Sequence, residues 1–291
     1  MPARKTIVAI TAVVIVLLGC GSGKDQGAPA NALSLGLPGL PVPSDSSNWT
    51  LGGVPCTLIP VPAAAPLGTG TCPGVRPGAI VLTDVGQCTL NFLFQGSDGS
   101  RYIGTAGHCI LGTSPFGGDV GEMAWAPGSG PVARDADGNP IGEFAYAILQ
   151  DPKDFSLIRL DPLVEASAAM CHFGGPTTVN DDRPDITQPV VLNWFGNGIL
   201  VGTLLPARSA LAAGMPDPDH VFADGAAAPG DSGSGIISSD GRAVGVVVTV
   251  GVHIGTSFDS GVIGITRLTP QVERAQQVLG VDLVLQTAPT L

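Results

Sequence analysis

Charge is what these 291 residues have least of: only 13% are Asp, Glu, Lys or Arg, and 24 acidic residues outnumber 13 basic ones. No basic stripe forms anywhere, which argues against a nucleic-acid partner. A membrane-spanning run is missing too. The apolar stretch Ile7 to Leu18 has twelve residues, whereas a helix crossing a bilayer needs about 20. Cation-binding patterns are equally thin. Cys171-His172 has no second ligand pair at usable spacing. Asp135-Ala136-Asp137-Gly138-Asn139 has Pro140 where a calcium loop needs Gly, and no bidentate Glu follows. Neither a metal nor a cofactor is therefore expected, and the Asp135 stretch reads as a hairpin turn.

What is present is glycine and proline, 42 and 26 residues, against 44% hydrophobic content. That combination excludes disorder and suits many short strands joined by tight turns. The chain is long enough for one large β domain or two small ones. At the N-terminus Arg4 and Lys5 precede the apolar run, which reads as an export signal over residues 1–19. Leu17-Leu18-Gly19-Cys20 resembles the lipobox of bacterial lipoproteins and makes Cys20 the expected lipidation site, with an ordinary secretory signal as the alternative. Cleavage before Cys20 leaves 11 basic against 24 acidic residues, a net charge of −13. Residues 20–74 carry nine prolines and little apolar periodicity, and read as a tether or a prosegment.

The densest local signal is Pro229-Gly230-Asp231-Ser232-Gly233-Ser234-Gly235. A serine nucleophile needs an exposed hydroxyl, a neighbouring base and amide donors for the oxyanion. Three glycines let this heptad turn sharply, with Ser232 at the apex and the N–H groups of Gly230 and Ser232 aimed at one point. The base is found upstream. Cys88 to Phe94 and Arg101 to Gly104 flank the turn Ser97-Asp98-Gly99-Ser100, and the returning strand runs into Thr105-Ala106-Gly107-His108-Cys109. An orienting carboxylate is offered by Asp151, Asp154 and Asp161. Only Asp154 opens an apolar β run, Phe155 to Leu160, which gives a rigid footing.

Thr105-Ala106-Gly107-His108-Cys109, Asp154-Phe155-Ser156-Leu157-Ile158 and Gly230-Asp231-Ser232-Gly233-Ser234, in that order, resemble the trypsin/chymotrypsin family of serine proteases. The resemblance covers roughly Ile80 to Leu279. It implies an all-β fold of two packed antiparallel six-stranded β-barrels with a short C-terminal helix. The protease domain would occupy 75–280, with barrels at about 75–165 and 185–268, a helix at 270–279 and a tail at 281–291. It implies His108 as general base and acid, Asp154 as its orienter and Ser232 as nucleophile. A polypeptide would be the substrate. It also implies a Cys88–Cys109 disulfide beside the histidine. For the remaining cysteines the expected pairing is Cys56–Cys72, with Cys171 left free.

Departures from the family pattern set further expectations. No Ile-Val-Gly-Gly start is present, so a new N-terminus cannot pair with Asp231; Arg183, Arg208 or backbone donors must serve. Ser234 stands where animal members have Gly. The resemblance places Ala226 at the base of the primary specificity pocket, with walls from Val248, Thr249, Val250, Gly251 and Gly261 to Ile263. An uncharged base predicts uncharged side chains before the cut, and His253 leaves open an acidic preference. A protease-like lipoprotein that only binds is the rival from another functional class. An esterase of another fold is more remote, because Ser234 breaks its final Gly and a β hairpin follows.

Overall fold

Strand-forming runs separated by Gly, Asp and Pro turns build two antiparallel β modules. The computed structural model describes residues 72–112, 120–181, 190–198, 206–214, 218–225, 227–251 and 262–291, with short strands upstream. These upstream strands, β1 (Gly19–Cys20), β2 (Thr50–Leu51) and β3 (Val54–Thr57), pair antiparallel with one another. Among the described residues no helix is long and apolar enough to cross a membrane.

The first module contains β4 (Ile80–Leu82), β5 (Gln87–Thr89), β6 (Leu93–Gly96), β7 (Arg101–Thr105), β8 (Gly121–Ala124), β9 (Val132–Arg134), β10 (Pro140–Gln150) and β11 (Lys153–Leu160). The second contains β12 (Val191–Phe195), β13 (Ala207–Gly214), β14 (His220–Asp224), β15 (Gly235–Ser238), β16 (Ala243–Gly251) and β17 (Val262–Arg267). Helix α2 (Leu268–Leu279) and β18 (Leu283–Leu285) end the chain. The second module closes as a six-stranded barrel in the order β12-β13-β14-β17-β16-β15. The first is a curled nine-stranded sheet, β18-β6-β7-β11-β10-β9-β4-β5 with β8 on β10, rather than the expected six-stranded barrel.

Local chemistry explains that difference. The run Cys88 to Phe94, expected as one strand, breaks at Asn91, whose side-chain Oδ1 accepts the Phe92 N–H at 2.7 Å. A side chain that takes a backbone donor removes it from the ladder, so β5 and β6 separate. The sheet also gains β18 from the chain's end, which pairs with β6. The tail expected at 281–291 is thus built into the body. Leu291 N donates to Phe173 O at 3.0 Å and Ala288 N to Pro176 O at 2.8 Å.

Turns behave as their sequences predict. Asp98 Oδ1 accepts the Ser100 N–H at 2.9 Å in the β6–β7 hairpin. Asp135 Oδ1 accepts from Asp137 N and Asn139 N at 3.0 and 2.8 Å in the β9–β10 turn, so this carboxylate is spent inside the hairpin. Strands β8 and β13 and the length of β10 were not expected from the sequence. Helix α2 begins two residues before the expected start at 270, with Arg267 at its N-cap, and stops at Gly280.

One apolar cluster is centred on the first module and extends onto Phe195, Ile237 and Val246 of the second, and another lies inside the second barrel. Leu90, Phe92, Phe94, Tyr102, Ile103, Phe144, Tyr146, Phe155, Leu157 and Ile158 are fully buried in the first; Trp194, Val221, Ile236, Val247, Ile263 and Ile265 fill the second. Burying each large side chain contributes roughly 1.5–3 kcal/mol. These clusters back the facing edges of the two modules, which carry the conspicuous polar residues.

Candidate active site

His108 opens the one-turn helix α1 (His108–Leu111), directly after β7. The preceding Gly107 is required by close approach. A Cβ there would collide with the backbone of Ile148 and Phe155, in the β10–β11 hairpin that carries Asp154. That contact brings the two side chains together. Asp154 Oδ1 accepts the His108 backbone N–H at 2.9 Å, and Oδ2 lies 2.7 Å from His108 Nδ1. An ionised carboxylate only accepts, so in the neutral imidazole the proton sits on Nδ1 and Nε2 is the free acceptor. Asp154 is 8% exposed. Its sequence rivals are placed elsewhere: Asp161 Oδ1 caps its own turn at Leu163 N, 2.8 Å away, and Asp151 sits in the β10–β11 turn.

Ser232 comes from the turn before β15 and is partly exposed. Its carbonyl accepts the Thr89 N–H at 2.8 Å and lies 3.9 Å from Cys109 Sγ. That sulfur is in turn within 4.8 Å of a His108 ring nitrogen. Ser232 thus sits beside the histidine turn, with its hydroxyl bonded to no described residue. Among the described residues no hydrogen bond joins it to His108. Such bonds often tighten only when substrate binds.

The amides of the turn divide into two sets. Asp231 N donates to Ala228 O at 3.0 Å, Gly233 N to Val247 O at 2.7 Å and Ser234 N to Asp231 O at 2.9 Å. Gly230 N and Ser232 N donate to no described residue. These are the two N–H groups that the sequence assigns to an oxyanion. Gly233 itself has φ +90°, and a Cβ there would collide with Thr105 Oγ1 and Thr89 O, so no other residue fits.

Asp231 is fully buried and held by four donors. Arg208 binds it in a fork, Nη1 to Oδ2 at 2.6 Å and Nη2 to Oδ1; Gly198 N and Ala228 N add bonds of 2.7 and 2.8 Å. Of the partners the sequence left open, Arg208 and backbone donors are both used. Arg183 lies outside the described residues. Arg208 also stacks over Trp194, 5.3 Å from the ring centroid. The neighbouring Ser234 is fully buried, and its hydroxyl has no partner among the described residues.

Among the described residues there are two disulfides. Cys88–Cys109 ties β5 to the residue after His108, as expected. Cys72 pairs with Cys171, not with Cys56, so Cys171 is not free. The cause is tertiary: the chain after Cys72 runs alongside the crossing segment, Val75 O accepting from Ser167 N at 2.9 Å and Pro77 O from Cys171 N at 3.2 Å. This bond also removes the Cys171 thiolate from any metal site with His172. The side chains of Cys20 and Cys56 lie outside the described residues.

The expected specificity pocket is largely beyond description. Ala226 and Gly261 fall outside the described residues; Val248 is buried, and Thr249, Val250 and Gly251 complete β16. A separate cavity of about 540 Å³, bordered by Arg76, Ile80, Asp137, Glu165, Phe195 and Asn197, is lined by none of His108, Asp154 and Ser232. What sequence reasoning missed is the support for the turn, Thr89, Asn91 and Asn197. Single polar residues in β runs give no signal of their own.

No protein-family model matches the chain, and no curated protein matches it in sequence. Solved structures do. The chain is similar to a glutamic-acid-specific serine protease that uses a histidine triad in substrate binding, at 16% identity and TM-score 0.47, over 72% of this chain and all of that one. Thermobifida fusca protease A matches at 14% identity and TM-score 0.46, over 73% and 99% of the two chains. A Nocardiopsis protease matches at 17% identity and TM-score 0.46, over 72% and 98%. With identities this low, the chemistry has to be read from the site itself.

Proposed function

We propose that the protein is an extracytoplasmic serine endopeptidase that cuts peptide bonds through an acyl-enzyme on Ser232. The observation that carries this is the His108–Asp154 pair, which leaves Nε2 of the neutral imidazole as the free acceptor beside a turn whose serine hydroxyl and two amides bond no described residue. In this reading Nε2 takes the Ser232 proton as Oγ attacks the scissile carbonyl. Gly230 N and Ser232 N receive the oxyanion. The imidazolium, stabilised by Asp154, gives its proton to the leaving amine as the C–N bond breaks. Water then repeats the cycle and frees Ser232.

The export signal read from residues 1–19 and the two disulfides support placement outside the cytoplasm. Lipid attachment at Cys20 would anchor the protein to the membrane, with residues 20–74 as tether or prosegment. Mass spectrometry of the mature N-terminus distinguishes an acylated Cys20 from a plain secreted start. For the pocket built on Ala226, peptides with Ala, Val or Leu before the cut are expected to outpace those with Arg or Lys. Equal or faster cleavage after Arg or Lys overturns that preference.

Fluorophosphonate labelling of the native chain, Ser232→Ala and His108→Ala tests the nucleophile and base together. Labelling is expected on Ser232 alone and is expected to fall by at least about 10³-fold in His108→Ala. Undiminished labelling of that variant would falsify the proposed base. A native chain that does not label favours the binding-only alternative.

A further inference from the structure

The carbonyls of the nucleophile turn are held from the first module by two fully buried residues, Thr89 and Asn91. Thr89 Oγ1 donates to Gly230 O at 2.8 Å, Thr89 N to Ser232 O at 2.8 Å, and Asn91 Nδ2 to Gly233 O at 3.1 Å. The Thr89 hydroxyl also accepts from Asn197 Nδ2 at 3.1 Å and Asn197 N at 3.3 Å. A hydroxyl has one proton and two lone pairs. Both Asn197 neighbours are donors, so the proton has Gly230 O as its acceptor, and the bond has one direction. Asn197 is itself fixed, since its Nδ2 donates to Gly78 O at 2.8 Å.

We propose that Thr89 is a positioning residue for the oxyanion site, holding the Gly230 peptide so that the N–H groups of Gly230 and Ser232 converge. The inference rests on the serine-hydrolase reading of Ser232. The peptide between Gly230 and Asp231 joins the two amides, and its rotation swings one away from the other. Gly230 sits at φ +102° and has no side chain to pin it; inside the turn this peptide is held at its N–H end, Asp231 N to Ala228 O, and Thr89 holds its carbonyl end from outside the turn. Thr89 follows Cys88, whose disulfide reaches Cys109 beside His108. A single short strand thus registers the base and the oxyanion donors to each other.

The test compares the full chain with Thr89→Val, which keeps the branched shape and loses the hydroxyl, and Thr89→Ser, which restores it. Active sites are counted by fluorophosphonate titration, and kcat per active site, KM and the affinity of a peptide boronic acid are measured. Loss of one oxyanion donor costs about 10²–10³ in kcat, and a displaced donor less. Thr89→Val is expected to lower kcat roughly 10- to 100-fold with KM within about threefold. Boronate affinity is expected to fall in parallel, and Thr89→Ser to recover most of the loss. If Thr89→Val does not fold, Asn197→Ala removes the shorter of the two donor bonds that direct the hydroxyl and is expected to lower kcat several-fold at unchanged KM. A kcat per active site within twofold of wild type in the folded variant overturns the proposal, as does a loss confined to KM or thermal stability. A native chain that neither labels nor turns over overturns instead the reading of Ser232 on which this one stands.

Discussion

Arg208→Leu is the substitution with the most calculable consequence. Asp231 is 0% exposed and Arg208 5%, so solvent screens their ion pair little. For unit charges about 4 Å apart at an effective dielectric of 20, the attraction is about 4 kcal/mol. Truncating one member strands the other charge, which costs about 3–5 kcal/mol in comparable buried pairs. Gly198 N and Ala228 N remain as donors to Asp231, which places the expected loss near 3 kcal/mol, the lower end of that range. Removing the charge as well, in Arg208→Leu with Asp231→Asn, is expected to recover about half of it. Urea denaturation followed by tryptophan fluorescence measures both, since Trp194 stacks on Arg208. Because the pair anchors the residue before Ser232, fluorophosphonate labelling is expected to slow in the single variant too. A single variant within about 1 kcal/mol of wild type, and a double variant no more stable than it, would refute the reasoning from an uncompensated buried charge.

Other consequences are equally direct. Replacing Cys72 and Cys171 by Ser opens a cross-link between residues 99 positions apart, with an expected loss of about 4 kcal/mol; a thermal midpoint unmoved by the change, or by reductant, contradicts this. Gly233→Ala forces a Cβ onto Thr105 and the Thr89 carbonyl at positive φ, and is expected to yield little folded protein, read by circular dichroism against Gly138→Ala, which has open space. Glu122 on β8 receives Arg274 Nε at 2.8 Å and Tyr146 OH at 2.7 Å. The Arg274 bond, reinforced by Tyr146, holds the Glu122 carboxyl below its ordinary value of 4.5. A depressed carboxylate adds stability above the unfolded-state value that is lost as pH falls through the folded one. Stability is therefore expected to drop less steeply below pH 4.5 in Glu122→Gln than in wild type, and identical slopes would exclude the contribution.

Much of the fold could be read from local signals. Asp98-Gly99 and Asp240-Gly241 mark turns whose flanking runs are strands, and Gly280 ends a helix, because such constraints act within a few residues. Elements without local punctuation were missed. β13, Ala-rich over Ala207–Gly214, earns its place by pairing with β12 and β14. β18 is a strand because β6 offers it an edge. Asn91 looked like part of a strand, and its own side chain broke the ladder.

The order of residues alone determined which chemical groups are on offer: an imidazole after a Gly, a carboxylate heading an apolar run, a serine at the apex of a glycine turn. Their meeting was decided in three dimensions, by Gly107 letting two hairpins touch and by Thr89 and Asn91 reaching from one module into the other. The same holds for Cys72 with Cys171 and Arg208 with Asp231. Pairing across 23 residues depends on how one barrel closes, and pairing across 99 on how the chain before β4 lies along the crossing segment; both are set by contacts far along the chain from either partner.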